Sequence, residues 1–192
     1  MNNTIFETQR LIVRTATVDD VDLYYHLWTD PRVMAMVGFP RGMRISRDEI
    51  MERLIKQPGD EFGRLLVIEL KNTGQPIGEC WLGNPGGNAI VEPDVKLLPA
   101  FWGNHYGVEV WKELVNYIFN HTEFEIIQAT PNVENIASIK MQVAAGAVWV
   151  GEDTGQFPEA MRQDTTPVHY YIYQIQRADW QWKIEHATRI EP

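Results

Sequence analysis

The chain has 192 residues, of which 17 are Lys or Arg and 26 are Asp or Glu, so its formal net charge is −9. This balance argues against a nucleic-acid partner, because phosphate backbones are bound mainly through clustered Lys and Arg. No apolar run approaches the roughly 18 residues that a membrane helix needs, and a single cysteine cannot form an internal disulfide or a metal cluster. We expect one domain over residues 1–192, without a metal or a secretory signal, in the reducing cytoplasm.

Hydrophobic patterns divide the first part of the chain. Residues 10–15 alternate like a strand, and residues 21–28 have the spacing of a helix. Residues 32–44 mix apolar side chains with Gly and Pro, which favours a short helix and a loop rather than core. Ser46 and Glu49 have the spacing of a capping box and predict the start of an amphipathic helix.

Three strands are predicted next. Residues 62–70 and 76–82 flank an Asn-Thr-Gly turn, as in a β-hairpin. A second turn at residues 83–88 leads into a strand at residues 89–98. Pro93 lies inside that strand and predicts a bulge or an edge, because proline has no N–H to donate to a sheet.

Residues 97–121 combine the end of that strand, a turn with two glycines and a helix of several turns. The apolar face of the helix consists of Tyr106, Val110, Trp111, Leu114, Val115, Ile118 and Phe119. We interpret its first turn as free of Asp and Glu, so that its N–H groups can receive an external anion such as phosphate. An ordinary turn, with Gly103 and Gly107 present only for backbone geometry, explains the residues equally well.

The remaining pattern completes an α+β domain. It consists of a strand at residues 125–131, a helix at residues 137–145 closed by Gly146, and strands at residues 147–150 and 169–176. Residues 152–167 are predicted to form a polar loop, and its length hints at a binding role. The order is strand, two helices, three strands, helix, strand, helix and two strands.

Two motifs within this order carry a resemblance to a known family. WG-x-x-Y-G at residues 102–107 is followed, about one strand later, by N-x-x-S at residues 135–138. In this order of elements the pair resembles the GNAT family of acetyl-CoA-dependent N-acetyltransferases, and its branch that modifies ribosomal-protein N-termini and related amines. The resemblance covers nearly the whole chain. It implies a single α+β domain whose central sheet is mixed, mostly antiparallel, splayed at its middle and flanked by helices.

The resemblance implies a site for acetyl-CoA as cosubstrate. The family's pyrophosphate loop has the pattern Gln/Arg-x-x-Gly-x-Gly/Ala; here Trp102 takes the first position, Gly107 the last, and His105 replaces the central glycine. A Cβ at that position can crowd the pyrophosphate, whereas an imidazole can donate a hydrogen bond to it. By the same resemblance the coenzyme is bound by Leu97, Leu98, Trp102, Gly103, Asn104, His105, Tyr106, Gly107 and Asn135, with the pantetheine arm along the backbone of the first two.

The resemblance also implies that an amine attacks the thioester directly, without an acyl-enzyme. Glu92 matches a glutamate that the family frequently has on this strand and is the candidate base, with Asp94 and Glu79 as alternatives. Solvated strand acids without a chemical role explain Glu92 and Asp94 equally well. Cys80, beside Glu79, is typical of a small buried hydrophobe rather than a nucleophile.

Protonation of the leaving thiolate needs an acid. The family often uses a tyrosine whose place is taken here by Gln142. The resembling branch uses the Asn and Ser of N-x-x-S near the sulfur, which makes Asn135 and Ser138 the candidates. Alternatively, these two are a turn residue and a helix-start hydroxyl, since both residue types are favoured there whatever the function.

The resemblance therefore predicts transfer of an acetyl group from acetyl-CoA to a primary amine, either a protein N-terminus or a small amine. Residues 29–46 and 152–167 are expected to line the acceptor groove, and their sequences have no diagnostic pattern. The alternative is a catalytically inactive protein that retains the GNAT fold for binding, which His105 and Gln142 favour. A homodimer is the default expectation for such a domain.

Overall fold

The computed structural model describes residues 4–59, 62–83 and 89–181, and almost all of the predicted turn at residues 83–88 lies outside these ranges. The strands are β1 (Thr4–Glu7), β2 (Leu11–Thr15), β3 (Leu66–Leu70), β4 (Pro76–Trp81), β5 (Ile90–Val91), β6 (Asp94–Leu97), β7 (Ile126–Ala129), β8 (Val148–Gly155) and β9 (Val168–Gln176). The helices are α1 (Val21–Thr29), α2 (Pro31–Met34), α3 (Arg47–Ile55), α4 (Tyr106–His121) and α5 (Ile136–Ala144).

The strands form two sheets that separate in the middle of the domain. The first sheet has the order β1-β2-β3-β4-β6 and is antiparallel throughout. The second has the order β5-β7-β9-β8, in which only β5 and β7 are parallel. The predicted α+β fold, with a mixed, mostly antiparallel sheet splayed at its middle, is confirmed.

The separation begins at Glu92 and Pro93. The strand predicted at residues 89–98 is in fact two strands, because β5 pairs with β7 in the second sheet and β6 pairs with β4 in the first. Proline cannot donate to either ladder, so the chain leaves one sheet before Pro93 and joins the other after it. The bulge or edge predicted at this position is therefore a crossing between sheets.

Helix α4 packs against one face of the first sheet and forms the main core with it. Its predicted apolar face is buried at Val110, Trp111, Leu114, Val115, Ile118 and Phe119. At the C-terminal end of α4, Arg177 donates to the carbonyl oxygens of Phe119 and Thr122 at 2.6 Å each. These carbonyls lack partners within the helix, so the guanidinium caps its C-terminus.

A second apolar cluster covers the opposite face of the first sheet, where α1, α2 and α3 pack. Val67 of β3 belongs to this cluster, while its neighbours in the strand belong to the main core. Val33, Met34 and Phe39 are also part of it and are buried. The prediction that residues 32–44 lie outside the core is wrong for these side chains, because they pack in one cluster with the apolar side chains of α1 and α3.

Local signals predicted helix ends well. The capping box is present: the Ser46 N–H donates to a carboxylate oxygen of Glu49 at 2.8 Å, and the Glu49 N–H donates to the Ser46 hydroxyl at 3.3 Å. Gly146 follows α5 with φ +90°, a conformation that suits glycine at a helix C-terminus. Both features depend on residues close in sequence.

Strand boundaries were predicted less well. β1 was not predicted at all, although it pairs with β2. β8 continues to Gly155, so the prediction of a loop from residue 152 is wrong for its first four residues. The backbone of the polar residues of β8, including Glu152 and Asp153, pairs with the tyrosine-rich strand β9. The partner strand, rather than any alternation in residues 152–155, determines that this segment is a strand.

An ion pair in the turn before α1 generates a first prediction. Asp20 is 4% exposed and accepts hydrogen bonds from two guanidinium nitrogens of Arg14 and from the Thr17 N–H, each at 2.8 Å. Burial alone would raise the pKa of Asp20, but the hydrogen bonds from Arg14 and Thr17 outweigh this effect and lower it.

We expect Asp20→Asn to lower the free energy of unfolding near neutral pH by about 3 kcal/mol, because it removes one partner of a buried ion pair. The pKa of Asp20 is lower in the folded state, so its stabilisation is complete above the unfolded value of about 3.9 and is lost as the pH falls below it. Urea unfolding near pH 7 and near pH 3 should show a smaller difference for the variant than for the wild type. Asp19→Asn, at an exposed neighbour, is the control, and equal pH dependence in all three proteins would contradict this account.

Candidate active site

The gap between the two sheets exposes one edge of β6. The Leu98 N–H donates to the carbonyl oxygen of Ile77 in β4 at 2.9 Å. The Leu98 carbonyl oxygen accepts from the Phe101 N–H, also at 2.9 Å. Successive residues of a strand direct their backbone groups to opposite sides, so Leu97 directs its own away from β4 and into the gap. The Leu97 carbonyl oxygen accepts from Trp102 Nε1 at 2.8 Å. Of the two residues predicted to hold the pantetheine arm, Leu97 faces the gap, whereas Leu98 is engaged within the protein.

The predicted pyrophosphate loop connects this edge to the N-terminus of α4. Gly103 has φ +77° and His105 has φ +62°, so both are in the left-handed region. His105 occupies the N-cap position of α4 without a side-chain capping hydrogen bond, and its side chain is exposed. A non-glycine residue in this region costs about 1 kcal/mol or more. The loop therefore has the backbone conformation that favours glycine at the position where His105 replaces it.

Gly107 has a different structural role. A Cβ at this position would lie 3.2 Å from the sulfur of Met141 and 3.8 Å from a methyl carbon of Leu97. Glycine thus allows the first turn of α4 to pack closely against Met141 of α5, while the distance to Leu97 of β6 is an ordinary van der Waals contact. This packing places the N-terminus of α4 beside the edge of β6 that borders the gap.

The first turn of α4 contains Glu109, so the prediction of a turn free of acids is wrong. Its carboxylate accepts hydrogen bonds from the Thr8 hydroxyl at 2.6 Å, the Arg10 N–H at 2.8 Å and Arg10 Nε at 2.7 Å. Partial burial alone would raise the pKa of Glu109, but these hydrogen bonds lower it. The negative charge of Glu109 is therefore balanced by Arg10, which reduces its repulsion of an anion at the helix N-terminus.

The N-x-x-S residues lie at the start of α5. The side-chain oxygen of Asn135 accepts from the Ser138 N–H at 3.1 Å, so Asn135 caps the helix. This cap is the structural role that the sequence left open, and the catalytic roles of Asn135 and Ser138 remain predictions. Gln142, on the same helix, is 3% exposed, and its side-chain oxygen has no hydrogen-bond partner among the described residues.

The candidate bases occupy different environments. Glu79 is 6% exposed; one carboxylate oxygen accepts from Trp28 Nε1 at 2.9 Å and the other pairs with Lys96 Nζ at 2.9 Å. Lys96 also pairs with Asp94, and although burial alone would lower the pKa of Lys96, the two carboxylates raise it. Glu79 is thus committed to a buried ion pair on both oxygens.

Glu92 is exposed at the point where the sheets separate, and one of its oxygens accepts from the Thr130 hydroxyl at 2.6 Å. Burial, then the charges of Asp153 and Glu92, raise the pKa of Tyr170, which indicates that Glu92 lies near the paired strands β8 and β9. Glu79 and Asp94 both pair with Lys96, whereas Glu92 does not and accepts a hydrogen bond from a neutral hydroxyl. Cys80 is buried, as predicted, and burial raises the pKa of its thiol.

A family model for the acetyltransferase (GNAT) domain matches residues 10–148. The chain belongs to the GNAT acetyltransferase family. The uncharacterized N-acetyltransferase p20 of Bacillus licheniformis is 27% identical over 139 residues, which are 70% of this chain and 76% of p20. The ribosomal-protein-S5-alanine acetyltransferase from Vibrio fischeri has a similar fold, with a TM-score of 0.71 at 16% identity over 91% of this chain and 97% of its own. The aminoglycoside acetyltransferase AAC(6')-Ib, in complex with coenzyme A and kanamycin, gives 0.65 at 18% identity over 89% and 97%.

In this GNAT domain the segments predicted to line the acceptor groove meet. The Thr166 N–H donates to the Gly38 carbonyl oxygen at 2.8 Å, and the rings of Phe39 and Phe157 are 5.0 Å apart between centroids. The loop between β8 and β9 is therefore joined to the segment after α2. Within the described ranges, no helix is long and apolar enough to cross a membrane.

Several contacts that shape the site in this GNAT chain were not predicted from the sequence. They join side chains from separate elements, so that only Glu109, in the first turn of α4, could have been noticed locally. The pairs are Arg10 with Glu109 across 99 residues, Trp28 with Glu79 across 51, and Thr130 with Glu92 across 38.

The left-handed loop residues generate a second prediction. We expect His105→Gly to raise the melting temperature by about 2–4 °C, because glycine adopts φ +62° without the strain that a Cβ causes. Gly103→Ala is the matched reverse change: φ is +77° and a Cβ would meet nothing within 4 Å, so only backbone strain is added. Calorimetry should show shifts of opposite sign for the two variants. Destabilisation by His105→Gly would mean that the imidazole stabilises the loop.

Proposed function

We propose that this chain transfers an acetyl group from acetyl-CoA to a primary amine, either a protein N-terminus or a small amine. The observation that carries the proposal is the gap between β5 and β6, which opens at Glu92 and Pro93 and has the N-terminus of α4 beside it. An exposed strand edge suits an extended ligand that contains amides, and a helix N-terminus suits a phosphate. Acetyl-CoA contains both an extended arm with amide groups and phosphate groups.

The arm of the coenzyme is proposed to extend along β6, with the Leu97 N–H as a donor. The pyrophosphate is proposed to be bound by the backbone amides of residues 103–107 together with the dipole of α4. The two structural neighbours named above are acetyltransferases of ribosomal-protein alanine and of an aminoglycoside, which supports testing both a protein N-terminus and small amines as acceptors.

The reaction proposed here needs two proton transfers and one nucleophilic attack. Glu92 accepts a proton from the ammonium of the acceptor, and the free amine attacks the thioester carbonyl. The N–C bond forms and the C–S bond breaks, with the electron pair leaving on sulfur. The thiolate acquires a proton, and Asn135 and Ser138 are the residues proposed to stand near it. The second proton of the attacking nitrogen passes to the thiolate, directly or through water, so that a neutral amide and a thiol are formed. Because the amine attacks the thioester directly, no acyl-enzyme is required.

Thermal unfolding with acetyl-CoA tests the first half of the proposal. A ligand at about 100 times its dissociation constant stabilises the folded state by roughly 2.7 kcal/mol, so a clear rise in melting temperature is expected. The absence of a shift at millimolar acetyl-CoA would contradict the proposal.

Release of free coenzyme A is then measured with peptides that begin with alanine or serine, with kanamycin and with polyamines as acceptors. Binding without turnover on any acceptor would support the alternative of an inactive binding protein, which Gln142 and the strained His105 favour.

The role of Glu92 leads to a third prediction. Glu92→Gln should lower kcat by about 100-fold or more, because it removes a general base, and should leave the KM for acetyl-CoA unchanged. Steady-state kinetics with the best acceptor would measure both constants. Glu123→Gln, at an exposed residue after α4, is the control for loss of one negative charge. A variant with wild-type kcat would exclude Glu92 as the base and would make Asp94 the next candidate.

A further inference from the structure

The side chain of Arg10, in the turn between β1 and β2, packs against the predicted coenzyme loop. Its Nε and Nη2 atoms lie 2.7 and 2.6 Å from one carboxylate oxygen of Glu109. Nη2 also donates to the carbonyl oxygen of Asn104 at 3.1 Å. The guanidinium carbon lies 4.5 Å from the centroid of the Tyr106 ring. Arg10 therefore contacts the loop, the first residue of α4 and its first turn at the same time.

The contact with Asn104 determines the direction of a loop amide. The carbonyl of Asn104 and the N–H of His105 belong to one peptide unit, which is planar and has no cis bond here. In a trans peptide the N–H points opposite to the C=O. By holding the carbonyl oxygen, Arg10 directs the His105 N–H away from itself.

The same peptide unit precedes the strained residue. His105 has φ +62°, and a rotation of this peptide is the simplest way for the loop to relieve that strain. A guanidinium that binds the Asn104 oxygen and is held in place by Glu109 opposes the rotation. Planar guanidinium groups suit this role because several donors are held in a fixed geometry.

We propose that Arg10 is a positioning residue for the coenzyme loop. Together with Glu109 it holds the Asn104–His105 peptide in the orientation that presents the loop amides to the pyrophosphate. This inference rests on the proposed function. Arg10 acts through the backbone and not as a phosphate ligand, since its charge is already paired with Glu109 at the distances given above.

Calorimetric titration with coenzyme A distinguishes these roles. We expect Arg10→Ala, Arg10→Lys and Glu109→Gln each to raise the dissociation constant roughly tenfold, because the fraction of molecules with a competent loop falls. Lysine should not rescue, since one ammonium cannot bind Glu109 and Asn104 and stack on Tyr106 together. The kcat at saturating acetyl-CoA should stay near the wild-type value while the KM for acetyl-CoA rises. The ratio of the dissociation constants for dephospho-coenzyme A and coenzyme A should stay unchanged.

Arg47 provides a matched control. It is 46% exposed, compared with 44% for Arg10, pairs with Asp22 at 2.7 Å and lies 3.8 Å above the ring of Tyr25. Arg47→Ala removes the same kinds of contact away from the loop. We expect it to leave the dissociation constant for coenzyme A unchanged.

Four results would overturn the positioning role while the proposed function stands. Tighter coenzyme binding by Glu109→Gln, or retained binding by Arg10→Lys alone, would show that the charge of Arg10 contacts the ligand directly. A change in the dephospho-coenzyme ratio would indicate a contact with the 3′-phosphate. Wild-type dissociation constants in all three variants would make Arg10 merely structural. If the wild type binds no coenzyme A, the proposed function fails and this inference fails with it.

Discussion

The candidate site depends on the crossing of the chain between two sheets at Pro93, a residue with no backbone N–H to donate to either sheet. A strand that could continue through residues 90–97 instead leaves the second sheet at Val91 and joins the first at Asp94. Backbone groups in a protein interior need partners, so a crossing of this kind leaves an edge that a ligand can complete. The gap, the open edge of β6 and the exposed position of Glu92 all follow from this crossing.

Helix α4 is the second determinant, because its packing places a helix N-terminus beside the gap. An arginine stabilises each end: Arg177 binds carbonyl oxygens at its C-terminus, and Arg10 binds Glu109 and the Asn104 carbonyl oxygen at its N-terminus. The apolar face between them is buried, which gives the helix enough packing energy to sustain a strained residue at its start. A stable core thus supports a loop conformation that is unfavourable by itself.

The carboxylates near the gap occupy different environments. Glu79 is buried and bound on both oxygens by Trp28 and Lys96, which stabilises the contact between α1 and the first sheet. Glu92 is exposed and accepts a hydrogen bond only from the neutral hydroxyl of Thr130 among the contacts described. A base must exchange protons with a substrate, so exposed Glu92 suits the proposed role of general base better than buried Glu79 does.

The sequence by itself determined the features that depend on near neighbours: the capping box of α3, the apolar face of α4, the C-cap after α5, the hairpin of β3 and β4, and the motifs that predicted the family. Only the tertiary structure decided which strand pairs with which, and therefore that residues 89–98 divide between two sheets, that residues 152–155 extend β8, and that Val33 is buried. It also decided which charges are paired, as for Arg10 and Glu109, which are 99 residues apart. Helical and turn patterns are local because their hydrogen bonds join residues a few positions apart, whereas strand pairing and ion pairs join segments whose separation no local pattern records.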